Sequence, residues 1–220
     1  LHSANSNAII ASLWVTLEAF RDPDLLEAIR REVQPCIKDA TQPTFDIPQL
    51  LRSPLLQAIF AETARLRVHG FLIRMPKIDI HINDYTLKRN HICIASSTPA
   101  TMDPAFWCKE EGFRPVDEFW PGRFLKQNPE TGDLEFSIAG MEGHWVPFGG
   151  GPHACPGRIF AKRQAILALA LMVTMYDCEV LAGEKELAMD QTSPFGTIPP
   201  SGKIKARIRR RDVGMQEQLS

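Results

Sequence analysis

Along the first third of the chain, apolar positions recur at helical spacing. Residues 8–20 are mostly apolar, contain neither Gly nor Pro, and stop at Arg21-Asp22-Pro23. There Asp22 supplies an N-cap and Pro23 the first position of a second helix. That helix is expected to run to about Gln34 and to end at Pro35, with Leu25, Leu26, Ile29 and Val33 on one face and Arg30, Arg31 and Glu32 toward solvent. A third helix begins at Ser53-Pro54 and carries Leu55, Leu56, Ile59, Phe60 and Leu66 as a wide apolar stripe beneath Glu62 and Arg65. From Phe71 the period shortens to two. Ile78, Ile80 and Ile82 alternate with Lys77, Asp79 and His81, and Asn83-Asp84 turns the chain before a return strand at residues 92–94. Asp103-Pro104 starts a short helix. Residues 115–151 form a long irregular segment rich in Pro, Gly and aromatics, and ordered loops of that length usually carry function. From Arg158 to about Tyr176 the sequence is apolar nearly all round, through Ile159, Phe160, Ile166, Leu167, Ala170, Leu171 and Val173, which predicts a central helix. Ile204, Ala206 and Ile208 alternate as a last strand, and no internal repeat is present.

Composition narrows the classes. With 220 residues, 44% hydrophobic and 23% charged, the chain is globular, with material for one large domain or two small ones. Twenty-five Lys and Arg against 26 Asp and Glu leave a net charge of −1, so no global electrostatic case exists for nucleic acid or an anionic membrane. Five cysteines, Cys36, Cys93, Cys108, Cys155 and Cys178, lie far apart with no CxxC pair, which argues against a zinc ribbon or a disulfide framework and for a reducing compartment. No apolar run reaches the roughly 18 residues of a membrane span, and residues 1–19 lack a signal-peptide pattern. The first residue is Leu rather than Met and the chain opens inside a helical pattern, so an upstream portion, with any anchor, is expected to be missing.

One cysteine has a setting that suits chemistry. Cys155 lies in Pro147-Phe148-Gly149-Gly150-Gly151-Pro152-His153-Ala154-Cys155-Pro156-Gly157-Arg158, directly before the most apolar helix. Unpaired amide N–H groups and the positive dipole end of a helix stabilise a thiolate there, and only the thiolate is a strong metal ligand. The glycines permit close backbone approach, so a flat, bulky ligand can lie against the loop while N–H groups tune the sulfur. A phosphate-binding loop or a plain turn competes with that reading, but the segment lacks the Lys-Ser/Thr ending of a Walker loop and the preceding strand of a dinucleotide fold.

Phe148, Gly151, Cys155 and Gly157 match the signature F-x-x-G-x-[R/H]-x-C-x-G, and in this the chain resembles the cytochrome P-450 heme-thiolate monooxygenases. Glu62-Thr63-Ala64-Arg65 resembles that family's E-x-x-R helix motif, and Phe119-Trp120-Pro121-Gly122-Arg123-Phe124 its P-x-R-F segment, in the family's order. The resemblance covers nearly all of residues 1–220, as one partial domain. It implies the C-terminal, haem-binding half of the cytochrome P-450 fold: mixed α/β, mainly α-helical, with small antiparallel sheets, the N-terminal half being absent. It further implies haem b held by Cys155 as proximal iron ligand, and a salt-bridged lock of Glu62, Arg65 and Arg123 behind the haem loop. Glu62 and Arg65, one helical turn apart, project from one face and can fix a guanidinium from elsewhere bidentately. Taken alone, such a pair is usually a solvated surface pair worth about 0.5 kcal/mol or less. His153 stands where the family often has Arg, and His153 and Arg74 are the implied haem-propionate partners, one partly charged at neutral pH and one permanently charged. Gly122 stands where the family frequently has an acidic residue.

The distal helix departs from the commoner pattern. Most of the family's monooxygenases carry an acid–alcohol pair there, whereas this stretch reads Ser3-Ala4-Asn5-Ser6-Asn7-Ala8. It resembles the minority group that includes the bile-acid sterol hydroxylases and prostacyclin synthase, with Asn7 as candidate distal residue. An amide holds a water or substrate oxygen but is a poor proton donor, and Asn7 can equally be a helix cap or a polar residue on a frayed terminus. Residues 68–75 and 193–199 align with the family's substrate-contacting strands, although Phe71, Leu72, Phe195 and Ile198 read equally as core.

The resemblance implies a monooxygenase that inserts one atom of O2 into a lipophilic substrate, with electrons from an NAD(P)H-cytochrome P-450 reductase or other redox partner. Full-length members typically sit on the cytosolic face of the endoplasmic reticulum membrane, and this chain would reach a membrane only through a missing N-terminal anchor. Two alternatives stand beside that reading: an isomerase or dehydratase on the same scaffold needing no reductase, and a non-catalytic truncated remnant.

Overall fold

The computed structural model describes residues 2–39, 43–109, 114–190, 192 and 195–211, with side chains from Ser6 onward. Helix α1 (His2–Arg21) leads into α2 (Pro23–Val33), whose N-cap carboxylate Asp22 accepts from the amides of Asp24 and Leu25. A short hairpin, β1 (Ile37–Asp39) and β2 (Thr44–Phe45), and a helical turn, α3 (Ile47–Leu50), precede α4 (Pro54–Arg67), capped by the Ser53 hydroxyl on the Leu56 amide. Then come β3 (Val68–His69), β4 (Phe71–Arg74), β5 (Ile80–Ile82), β6 (Tyr85–Leu87), β7 (Cys93–Ser96), α5 (Thr98–Thr101) and α6 (Pro104–Trp107). A 3₁₀ turn at Pro121–Phe124, the hairpin β8 (Leu125–Gln127) and β9 (Leu134–Phe136), and a 3₁₀ turn at Gly151–His153 lead to α7 (Arg158–Met175). The chain closes with β10 (Tyr176–Val180), α8 (Glu184–Leu187), β11 (Gly196–Thr197) and β12 (Ala206–Arg210). The architecture is mixed α/β, with two-stranded antiparallel sheets around a helical core.

That core joins four helices. Val15 and Ala19 of α1, Ile29 and Val33 of α2, Leu56, Ile59 and Phe60 of α4, and Ala165, Ile166, Leu169, Ala170 and Val173 of α7 form one buried cluster. The alanines bring α1 and α7 close, as their missing bulk allows. The expectation of all-round burial for α7 needs correction: Ile159 and Phe160 are 56% and 54% exposed, and Leu171 is exposed as well. The helix meets the core from Ala161 onward, so its first turn stands clear and presents the loop before it.

Arg30 also departs from expectation. It is half-buried and donates to the Val173 and Tyr176 carbonyls and to Asp177 (2.6 Å), while Arg211 donates to the same Val173 carbonyl. Two guanidiniums thus satisfy the carbonyl end of α7, where the helix dipole favours positive charge. The helix stops at Met175, and the strand that follows, β10, pairs antiparallel with β12.

The ribbon is arranged differently from the sequence pattern. Asn83, at φ 49°, closes a tight turn that returns β5 onto β6, not onto residues 92–94. Cys93–Ser96 instead pairs with β4, Phe71 opposite Ser96 and Arg74 opposite Cys93. The irregular segment holds a second small core in which Phe124 and Trp107 pack on Ala58 and Ala61 of α4. Among the described residues no helix is long and apolar enough to cross a membrane.

Candidate functional site

The carboxylate of Glu62 organises the inner side of the site. Its Oε2 accepts from Arg65 Nε at 2.7 Å, and its Oε1 accepts from Arg65 Nη2 at 2.9 Å, the Trp120 amide at 3.0 Å and Arg123 Nε at 3.2 Å. Arg65 also donates to the Thr101 carbonyl and lies over the Trp107 ring, and Arg123 donates to the carbonyls of Trp107 and Arg114. All three side chains are 0% exposed, so the surface-pair reading is excluded. The bidentate grip lies within the helical pair, however; Arg123 joins through one nitrogen only. Gly122 has its own reason: a Cβ there would come 2.4 Å from the Trp120 ring, which folds back over it.

Trp145, which the sequence pattern did not single out, bolts the loop to this lock. Its indole N–H donates to the Ala61 carbonyl at 3.0 Å, and its ring meets Phe148 edge-on. Phe148 in turn stacks on Phe60. The loop therefore rests directly on the turn of α4 that carries Glu62.

Within the loop, Gly149 and Gly151 adopt positive φ of 70° and 64°, a region that a Cβ makes costly. These turns let the Cys155 amide donate to the Phe148 carbonyl at 2.8 Å, which closes the loop on itself. Gly157 is the N-cap of α7 and provides no side-chain cap; the Arg158 amide donates to the Cys155 carbonyl at 3.4 Å, and a Cβ at Gly157 would stand 3.7 Å from the Cys155 Sγ. The Cys155 thiol is free and exposed. The other cysteines differ. Cys36 is buried, and burial above all, then Asp46 and Glu32, pushes its thiol up from the ordinary range; burial does the same to Cys178. Cys93 and Cys108 have carbonyl partners, His91 and Arg114.

The remaining predicted residues are linked to this loop. Arg74, at the end of β4, donates to the Gly150 carbonyl at 2.9 Å, and His153 stands exposed in the 3₁₀ turn just before Cys155. Asn7 lies within α1, so it is neither a cap nor a frayed end. Its Oδ1 accepts from the Thr197 amide at 3.0 Å and occupies the space beside Gly196, where a Cβ would stand 2.7 Å away. Gly196 and Thr197 pair with His69 and Val68, and five residues after His69 comes Arg74. A continuous path of bonded segments thus runs from α1 through β11, β3 and β4 to the cysteine loop. Burial holds the His69 imidazole below its ordinary pKa, which keeps it neutral at neutral pH. Phe71, Ile73 and Phe195 along this path are exposed. Residues 3–5 of the distal stretch lie outside the described side chains, and residues 193 and 194 outside the described residues.

A family model described as Cytochrome P450 matches residues 7–206. The chain belongs to the cytochrome P450 family. It is 34% identical to "Cytochrome P450 monooxygenase efuG" of Hormonema carpetanum, across 96% of this chain and 42% of that protein. It is 29% identical to the human "7-alpha-hydroxycholest-4-en-3-one 12-alpha-hydroxylase", across 95% of this chain and 43% of that one. A crystal structure of a cytochrome P450, CYP102L1, superposes with a TM-score of 0.73 at 25% identity, covering 93% of this chain and 42% of that chain. The chain thus spans about two fifths of the length of the curated P450 relatives it matches.

Haem is the cofactor of P450 proteins, and the donor set here suits it. Among the described residues no group of three His, Cys, Asp or Glu side chains could hold a bare metal ion. Cys155 is a single soft donor, the kind of ligand a haem iron takes from a protein. An exposed thiol at an open helix N-terminus, beside glycines with open space at Gly150 and Gly151, meets that need.

Proposed function

We propose that this chain forms the haem-thiolate part of a monooxygenase that inserts one atom of O2 into a lipophilic substrate, carries haem b and draws electrons from an NAD(P)H-linked reductase. The observation that carries the reading is the free, exposed Cys155 thiol at the start of α7, in a loop seated on the fully buried Glu62–Arg65–Arg123 lock. When bound, haem would supply O2 activation, which electron donation from a Cys155 thiolate would favour. The chain's own residues do the rest. Cys155 would offer its sulfur to the iron in front of α7, Phe148, Gly151 and Gly157 shape its loop, and Arg74 and His153 offer the propionates hydrogen bonds. Asn7, whose Oδ1 accepts from the Thr197 amide, is the candidate distal residue by resemblance to the family. The exposed apolar side chains Phe71, Ile73 and Phe195 suit a lipophile, and a relative named for hydroxylating a steroid enone points to the same chemical class.

Arg74→Ala is expected to weaken haem retention about tenfold, as loss of a charge-assisted hydrogen bond does, and His153→Ala by less, because an imidazole has fewer N–H donors than the guanidinium fork. Haem titration of each apoprotein measures this; equal retention in Arg74→Ala removes its propionate role. For the activity itself, the 220-residue chain, haem-loaded and given reductase, is expected to turn over little. A chain spanning the full length of the relatives should couple O2 consumption to substrate. A pocket open to water screens the electrostatics and leaves the reacting carbon unheld. Efficient, regioselective product from the 220-residue chain would contradict this.

A second reading has one observation behind it. Asn7, an amide without acid–base power, stands where monooxygenases more often carry proton-delivering groups. That suits an isomerase or dehydratase, and turnover without reductase or O2 would select it.

A further inference from the structure

The short strand β11 is seated by α1 and by the end of α4. The Thr197 amide donates to Asn7 Oδ1 at 3.0 Å, the Ile198 amide donates to the Arg67 carbonyl at 2.8 Å, and the Ile198 carbonyl accepts from Trp14 Nε1 at 2.7 Å. Both backbone groups of Ile198, the residue after β11, are therefore held: its amide by the last residue of α4, in continuation of the β3 ladder, and its carbonyl by Trp14. Trp14 is fully buried, and the Arg67 guanidinium lies 4.0 Å over its ring. Arg67 Nη2 donates to Glu18 Oε1 at 2.6 Å, and the other oxygen of Glu18, also buried, takes Arg21 at 3.3 Å.

This cluster is not an optimum of stability. Arg67 Nε is buried with no hydrogen-bond partner, and an unmade buried donor is costly. An ion pair between two helices does fix their relative placement, with the indole between them and the strand. Glu62, Arg65 and Arg123 bind the segments around residues 101–123; Trp14, Glu18 and Arg67 bind α1, α4 and β11. The two sets share no hydrogen bond among those described.

We propose that Trp14, Glu18 and Arg67 form a second lock, which sets the position of β11 and of the neighbouring exposed Phe195, and so tunes the fit of bulky lipophilic ligands rather than haem retention. They are positioning residues, acting through the strand. The inference rests on the haem-thiolate reading for what the strand faces, and its test separates the two. Trp14→Phe keeps an aromatic ring and deletes the N–H donor. In the haem-loaded protein we probe with imidazole, which needs only the iron, and with clotrimazole, whose three aryl rings reach the pocket walls.

The carbon monoxide spectrum and imidazole affinity should match wild type, whereas clotrimazole should bind about tenfold more weakly, the size of one lost buried hydrogen bond. Amide exchange at residues 196–198 should quicken while residues 58–66 keep their protection. Unchanged exchange at 196–198 overturns the lock, and faster exchange with unchanged clotrimazole affinity overturns its role in fit. Wild-type protein that takes up no haem sinks the haem-thiolate reading instead, and the exchange measurement, which needs no haem, still decides the lock. If Trp14→Phe does not accumulate, Glu18→Gln removes the charge at nearly constant shape; faster exchange at 196–198 supports the lock and wild-type exchange overturns it.

Discussion

Replacing Cys155 by Ser or by His is expected to abolish the red-shifted Soret band of the reduced, carbon monoxide-bound protein. Neither residue supplies a thiolate, the soft sulfur ligand that gives this band. The specificity of the effect follows from the other cysteines. Cys36 and Cys178 have thiols pushed up by burial, and Cys93 and Cys108 point their thiols to carbonyls. None can take over. His is the more informative replacement, because it still ligates iron and should yield a haem protein with a different band. A thiolate-type spectrum persisting in both variants would remove Cys155 from the site.

Loss of haem incorporation, rather than slower turnover, is the expected outcome of Glu62→Ala. That one carboxylate accepts from Arg65, from Arg123 and from the Trp120 amide. Its removal leaves two guanidiniums uncompensated at 0% exposure. Breaking a buried pair typically costs about 3–5 kcal/mol, a large share of the roughly 5–15 kcal/mol that holds a domain together. The damage passes to the loop by a short route, since Trp145 hangs from the Ala61 carbonyl and Phe148 stacks on Phe60. Arg65→Ala should act in the same direction, with Arg123 left as partner of the carboxylate. The haem-to-protein ratio and the urea midpoint measure the effect, and a normal ratio in Glu62→Ala would show that the loop stands without the lock.

Features encoded within a few residues were legible in the sequence. Asp22 and Ser53 cap their helices through amides two or three residues away, and Pro23 and Pro54 pre-set the first turn, so these boundaries needed no tertiary contact. The cysteine loop was legible for the same reason, its glycines, Phe148 and Cys155 lying within ten consecutive residues. Whatever depended on a distant partner was decided by the tertiary structure. A Glu/Arg pair on a helix reads alike on a surface and in a core; Arg123, 61 residues on, and the Trp120 amide bury it. Asn7 acquires its partner 190 residues away. Alternation marked residues 92–94 as the return strand of the ribbon at residues 78–82, but β6 pairs with β5 and the strand at 93–96 pairs with β4. The sequence placed the end of α7 at about Tyr176, close to the observed Met175, but not the guanidiniums that hold its last carbonyls, which come from Arg30 of α2 and from Arg211. Local hydrogen bonds close short loops and are written in neighbouring residues. Burial and strand pairing close long ones, and their outcome depends on which of several competing partners packs best.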